Sequence, residues 1–194
     1  MTRSPSTLAN FLLEIDRLKT INRRSYISDG KRLENSAEHS WHVAMCAWAL
    51  SNYLAWEVSA EKLLKLALVH DLGEIELGDT FLYASERQGA SDKERAAVCR
   101  LARNHIGLIA DLEALWEEQE RGQTREARLL KIADRLLPFL LNLANEGRTW
   151  RENGIRRSQV LERHAFIESE APELFEWFTT QLRDAVAKGW LADT

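Results

Sequence analysis

The sequence predicts an all-α fold, on three observations. Apolar residues recur at the spacing of a helix face along most of the chain, only three prolines interrupt it, and no Asn-Gly or Asp-Gly turn separates alternating apolar segments. Leu8, Phe11, Leu12, Ile15 and Leu18 mark a first amphipathic helix, which Ser6 or Thr7 would cap and which ends near Lys19-Thr20. The polar stretch from Asn22 to Asn35 reads as irregular. Residues 37–56 are apolar on most faces and form a central helix. The next runs from Ser59, its N-cap, to His70, with Gly73 just beyond its end. Ser91-Asp92-Lys93-Glu94 has a capping-box-like start and opens a helix reaching Asn104. Helices over 109–120 and 124–144 follow, and residues 158–188 supply two more, separated near Ala171-Pro172.

A chain of 194 residues with 45% apolar and 29% charged residues has the balance of a globular protein, and no repeat or linker divides it, so one domain over 1–194 is expected. The formal charge of −4 argues against polynucleotide as a partner, so any nucleic-acid-related ligand should be small. Cys46 and Cys99, both inside predicted helices, form no Cys-x-x-Cys pattern and read as buried free thiols in a reducing compartment. No apolar stretch approaches the ~20 residues needed to span a bilayer, and no signal segment follows Arg3. A cytoplasmic protein with no membrane partner is the expectation. The seven tryptophans fall at scattered helical positions and favour packing, with Trp116 and Trp150 as candidates for a subunit interface.

Four residues have ligand chemistry: His39 at the start of the central helix, His70 and Asp71 at the end of the next, and Asp134 in Lys-Ile-Ala-Asp-Arg-Leu. Two imidazoles and two carboxylates suit a borderline divalent ion and leave positions open for water and substrate, whereas a structural zinc site is more often sulfur-rich. Taken singly, each has a plain structural reading: His39 as a capping residue, His70 as a satisfied core histidine, Asp134 as a partner for Arg135 or Lys131. His42 reads either as a group near the metal or as packing among Trp41, Met45 and Trp48, and His105 and His164 as helix-surface residues.

Their joint arrangement resembles the HD-domain metal-dependent phosphohydrolases, and within them the bacterial 5'-deoxynucleotidase branch. The residues carrying the likeness are Glu-Asn-Ser-Ala-Glu-His-Ser-Trp-His-Val-Ala (34 to 44), His-Asp-Leu-Gly-Glu-Ile-Glu-Leu-Gly-Asp (70 to 79) and Lys-Ile-Ala-Asp-Arg-Leu (131 to 136), with an early arginine. The resemblance implies a compact multi-helix HD-domain fold and a homodimer. It makes His39, His70, Asp71 and Asp134 the ligands of one divalent transition metal ion (Mn, Co, Fe, Ni or Zn), and Glu74 and Asp79 the acid/base pair. Dinuclear members of that superfamily generally carry two further histidines between the His-Asp pair and the last Asp; here His105 is the one histidine in that interval, so the resemblance implies one metal rather than two.

The implied reaction is hydrolysis of a small phosphorylated substrate, a (deoxy)nucleoside 5'-monophosphate, by attack of a metal-bound water. Glu74 lies four residues after His70 and projects from the same face if the helical turn persists, placing a carboxylate where it accepts a proton from that water. Phosphoryl transfer also needs fixed positive charge: Arg24 is the first candidate, Arg23 a substitute one register away, and Lys131 a second cation one turn before Asp134. Ser25 and Tyr26 follow Arg24 where the family commonly has tryptophan, and Thr80-Phe81-Leu82-Tyr83 stands where it often has proline. Phe81 and Tyr83 read as a base platform or as core. The alternatives are an HD-family hydrolase of another phosphorylated metabolite or nucleotide and a noncatalytic nucleotide sensor.

Overall fold

The computed structural model describes residues 4–84 and 89–193. The chain divides into two compact units, Met1–Arg23 with Asn35–Lys131 and Arg24–Glu34 with Ile132–Thr194. Among the described residues the regular structure is helical apart from a two-stranded sheet and an isolated bridge between Arg156 and Ala192.

In the first unit α1 spans Pro5–Asp16 and begins earlier than the expected caps: Ser4 Oγ accepts from the Thr7 N–H at 3.1 Å, and Pro5 takes the first turn, where its missing N–H costs nothing. A 3-10 turn, Arg17–Thr20, follows. The stretch expected to be irregular, of which Arg24–Glu34 belongs to the second unit, contains β1 (Asn22–Tyr26) and β2 (Leu33–Asn35), paired with each other. Its strands, Asn-Arg-Arg-Ser-Tyr and Leu-Glu-Asn, lack the apolar alternation that marks a strand in sequence, and a polar turn closes the hairpin, with Ile27 N–H donating to Arg32 O at 3.0 Å.

Helix α2 (Ser36–Tyr53) opens with a capping box: Asn35 Oδ1 accepts from Glu38 N–H at 2.9 Å, and Glu38 Oε2 accepts from Asn35 N–H at 3.2 Å. Ser59 caps α3 (Ala60–Val69) as expected. The unit continues with α4 (Glu74–Leu77), α5 (Ala90–Asn104), α6 (Leu112–Arg121) and the first turns of α7 (Arg125–Ala144). Helix α3 packs on α2 and α6, and α5 on α4 and α6, around Val43, Ala47, Leu63, Leu66, Val98 and Trp116, all buried. Each large side chain so buried stabilises the unit by roughly 1.5–3 kcal/mol.

The second unit holds the rest of α7 and four short to medium helices, α8 (Arg148–Glu152), α9 (Arg157–His164), α10 (Ile167–Glu170) and α11 (Pro172–Ala187), the last three in the stretch where two were expected. Pro172 starts α11 as anticipated. Phe139, Trp150, Phe178 and His164 form an aromatic core, with Phe139 and Phe178 centroids 4.6 Å apart. Burial of Trp116 and Trp150 removes both from consideration as interface residues. Gly147, at φ +72°, approaches the Trp190 carbonyl so closely that a Cβ would lie 2.0 Å from its oxygen. Among the described residues no helix is long and apolar enough to cross a membrane.

Candidate metal centre

The site in the first unit is built on the turn between α3 and α4. Glu74 N–H donates to Asp71 O at 3.0 Å, and Leu72 and Ile75 N–H likewise bond three residues back, so this segment winds as a 3-10 turn. In that geometry side chains three apart eclipse, which puts Asp71 and Glu74 on one side. The shorter register leaves the His70 carbonyl to accept from the Trp116 indole N–H at 3.2 Å, and the Ile75 carbonyl accepts from Arg17 Nη2 at 3.1 Å. Gly73, with an ordinary helical φ of −61°, is not the left-handed helix stop its position suggests. Its lack of a side chain matters for space, since a Cβ would meet Glu94 backbone atoms of α5 at 3.0 and 3.1 Å.

His39, in the first turn of α2, and His70 present their rings with centroids 5.5 Å apart. Asp71 Oδ2 lies 3.2 Å from His70 Nε2 and 3.9 Å from His39 Nε2. His39, His70 and Asp71 each offer a donor atom within 4.8 Å of the others, so they could share one ion. His70 Nδ1 contacts Ala67 O at 2.8 Å, the usual way a backbone carbonyl orients a ligating ring, whereas its buried Nε2 has no hydrogen-bond partner among the described residues. A buried bare nitrogen is unfavourable unless something binds it. Nitrogen and carboxylate donors with no thiolate fit a borderline divalent ion.

Arg23 faces three carboxylates from one nitrogen: Nη1 lies 2.9 Å from Asp71 Oδ2, 3.3 Å from Asp79 Oδ1 and 3.4 Å from Glu74 Oε1. Glu74 also accepts from the Ser36 hydroxyl at 2.5 Å. Burial pushes the Glu74 carboxyl well above the ordinary carboxylate range and the Asp71 charge raises it further, with Arg23 opposing. The segment thus gathers His70, Asp71, Glu74 and Asp79 against His39, with Ser36, a residue of the 34–44 segment to which the resemblance assigns no role, and Trp116 as supports.

The other candidate residues are placed as follows. Asp134 belongs to the second unit, where Arg135 Nη1 donates to its Oδ2 at 2.6 Å. Arg24 is an exposed residue of β1 whose carbonyl accepts from Thr149 Oγ1 at 3.0 Å, and Lys131 is exposed on α7. Successive strand residues project to opposite faces, so Arg23 and Arg24 are not interchangeable. His42 stacks against Trp41, and the half-buried Phe81 and Tyr83 pack edge-to-face with centroids 5.3 Å apart. His105 and His164 are buried rather than on the surface; His105 Nε2 pairs with Glu14 at 2.6 Å.

Comparison with known proteins locates this arrangement. The profile of the HD domain family matches residues 15–175. A 5'-deoxynucleotidase of Danio rerio is 29% identical over 66% of this chain and 64% of its own length, so the chain spans just under two thirds of that relative. A 5'-deoxynucleotidase of Escherichia coli is 30% identical over 68% of this chain and 70% of its own. The solved structure of a predicted metal-dependent phosphohydrolase from Magnetospirillum magnetotacticum MS-1 superimposes with a TM-score of 0.87 at 36% identity, covering 96% of this chain and 95% of that one.

Proposed function

The chain belongs to the HD domain family, and from that premise we propose that it is a metal-dependent phosphomonoesterase hydrolysing (deoxy)nucleoside 5'-monophosphates to nucleoside and phosphate. The observation that carries this reading is the His39, His70 and Asp71 donor cluster set directly beside the buried Glu74 carboxyl. The names of the Danio and Escherichia relatives support the substrate class. In this proposal the HD-domain hydrolase is a single functional domain over residues 1–194, with Asp134 as the fourth ligand.

When bound, a divalent transition ion supplies Lewis acidity, which acidifies water and polarises a phosphoryl oxygen. His70 is oriented for that duty by Ala67 O, and Asp71 brings the negative charge. Water attacks phosphorus and the bond to the 5' oxygen breaks. Glu74 and Asp79 share the two proton transfers, one taking the proton of the attacking water and the other returning one to the departing oxygen. Arg23 already stands among these carboxylates and is the guanidinium best placed to meet the nonbridging oxygens; Arg24 and Lys131 complete the proposed substrate cations. A cytoplasmic homodimer completes the proposal, supported by the two free cysteines and by the exposed stripe Trp41, Met45 and Trp48 on α2.

The test is phosphate release from ribo- and deoxyribonucleoside 5'-monophosphates, 3'-monophosphates and triphosphates by metal-stripped protein resupplied with manganese, cobalt, zinc or magnesium. Metal-dependent release confined to 5'-monophosphates is expected. No release from any of them with metal bound overturns the reading in favour of another phosphorylated metabolite or a sensor.

A further inference from the structure

We propose that Ser36 is a positioning residue for Glu74, its hydroxyl pinning one carboxyl oxygen so that the other is held toward the reacting atoms; this rests on the acid/base role just proposed. Ser36 is the first residue of α2 and is fully buried. Its backbone is held at both ends: the N–H donates to Ile21 O at 3.0 Å, and the carbonyl accepts from Ser40 Oγ at 2.9 Å.

A serine at a helix start ordinarily caps the helix with its hydroxyl, but here Asn35 does that, so the Ser36 hydroxyl has no capping duty. Alanine is the better helix former, and a buried hydroxyl is unfavourable unless bonded. The bond it makes is to Glu74 Oε2, at 2.5 Å, while Oε1 faces Arg23 Nη1 at 3.4 Å. The two oxygens are therefore distinguished. Ser36 holds Oε2, and Oε1 is the atom that exchanges a proton. Without the bond to Ser36, the carboxyl rotates among orientations of which few aim a lone pair at the substrate.

The experiment compares wild type, Ser36→Ala, Ser36→Thr, Glu74→Ala and the Ser36→Ala/Glu74→Ala double variant. It measures turnover of a 5'-monophosphate, metal content and thermal midpoint. Ser36→Ala is expected to lower kcat by about 10–100-fold, with KM, metal content and midpoint near wild type. Ser36→Thr restores kcat through its own hydroxyl. Because the extra methyl of threonine enters a fully buried site, the double variant serves as a second, independent measurement: Ser36→Ala adds no loss once Glu74 is gone. Wild-type kcat in Ser36→Ala beside a crippled Glu74→Ala overturns the proposal and leaves the phosphomonoesterase reading intact, as does a loss in Ser36→Ala that comes entirely from lost metal or unfolding. Wild type inert on every 5'-monophosphate overturns both.

Discussion

Two buried histidines, one in each compact unit, are treated in opposite ways. His164, in the aromatic core of the second unit, lies against two backbone carbonyls, Nδ1 at 2.7 Å from Val160 O and Nε2 at 3.1 Å from Arg135 O, and stacks on Phe178 at 4.6 Å. His70, in the first unit, gives Nδ1 to Ala67 O and leaves Nε2 bare beside Asp71. A ring with a carbonyl at each nitrogen is fixed in place, whereas a ring with one is oriented and still has a donor atom to offer. A bare nitrogen alone is not enough. Among the described residues His105 Nδ1 is also unpartnered, but that ring packs edge-on against Phe11, and its other nitrogen pairs with Glu14.

The largest expected effect breaks the comparison at His70. His70→Ala should remove bound metal and lower kcat by at least about 1000-fold, the scale of losing the Lewis acid and its activated water. Its thermal midpoint without metal should stay close to that of metal-free wild type. Elemental analysis of the purified variant, with phosphate release, checks this; retained stoichiometric metal would show that the bare nitrogen is not a ligand.

The next effect reads the other histidine through pH. Burial drives the His164 imidazole down to about 4 from an ordinary 6.5. The unfolded chain therefore binds a proton between those values that the folded chain refuses, so stability present above pH 6.5 is lost as pH falls toward 4. The loss amounts to ~3 kcal/mol for a shift of this size. Urea unfolding of wild type and His164→Leu at pH 7 and pH 4.5 isolates it: the wild type should lose more stability on acidification than the variant. Equal losses would mean that His164 is charged, or accessible, in the folded state.

These contrasts also show what the sequence could disclose. His70-Asp71 and Glu74 are legible because they end an apolar helical run, and Ser59 because a cap precedes a periodic segment. The helix expected over 124–144 agrees with α7 to within a residue. The β1–β2 hairpin is legible only at its turn, where Asp29-Gly30 stands and Gly30 takes φ +70°; its strands are polar, and their order comes from backbone pairing. Ser36 and Trp116 are hidden for a different reason: each acts through a partner 38 or 46 residues away, and no local pattern encodes that distance. Arg23 and Arg24 cannot be told apart by counting from His39, whereas strand alternation separates them at once. Surface placement of His105 and His164 fails because one nitrogen of each ring meets a group outside its own helix, the Glu14 carboxylate and the Arg135 carbonyl.

The smallest expected effect sharpens the comparison at the carbonyl of His70. Because the 3-10 turn gives the Glu74 N–H to Asp71, the His70 carbonyl depends on the Trp116 indole, at a buried position in α6. Trp116→Phe keeps most of the ring's packing and deletes that donor. A buried acceptor left without a partner costs about 1–3 kcal/mol, and smaller ring volume adds to it. The consequence for the metal differs from that of His70→Ala, because both ligand atoms remain and only the turn carrying them loosens. Metal affinity should fall by about 10-fold, the low end of what supporting interactions contribute, with kcat at saturating metal little changed. Titration of metal-free Trp116→Phe with manganese or zinc decides it: affinity equal to wild type would mean that α3 and α4 hold the turn unaided, and that the indole serves the core alone.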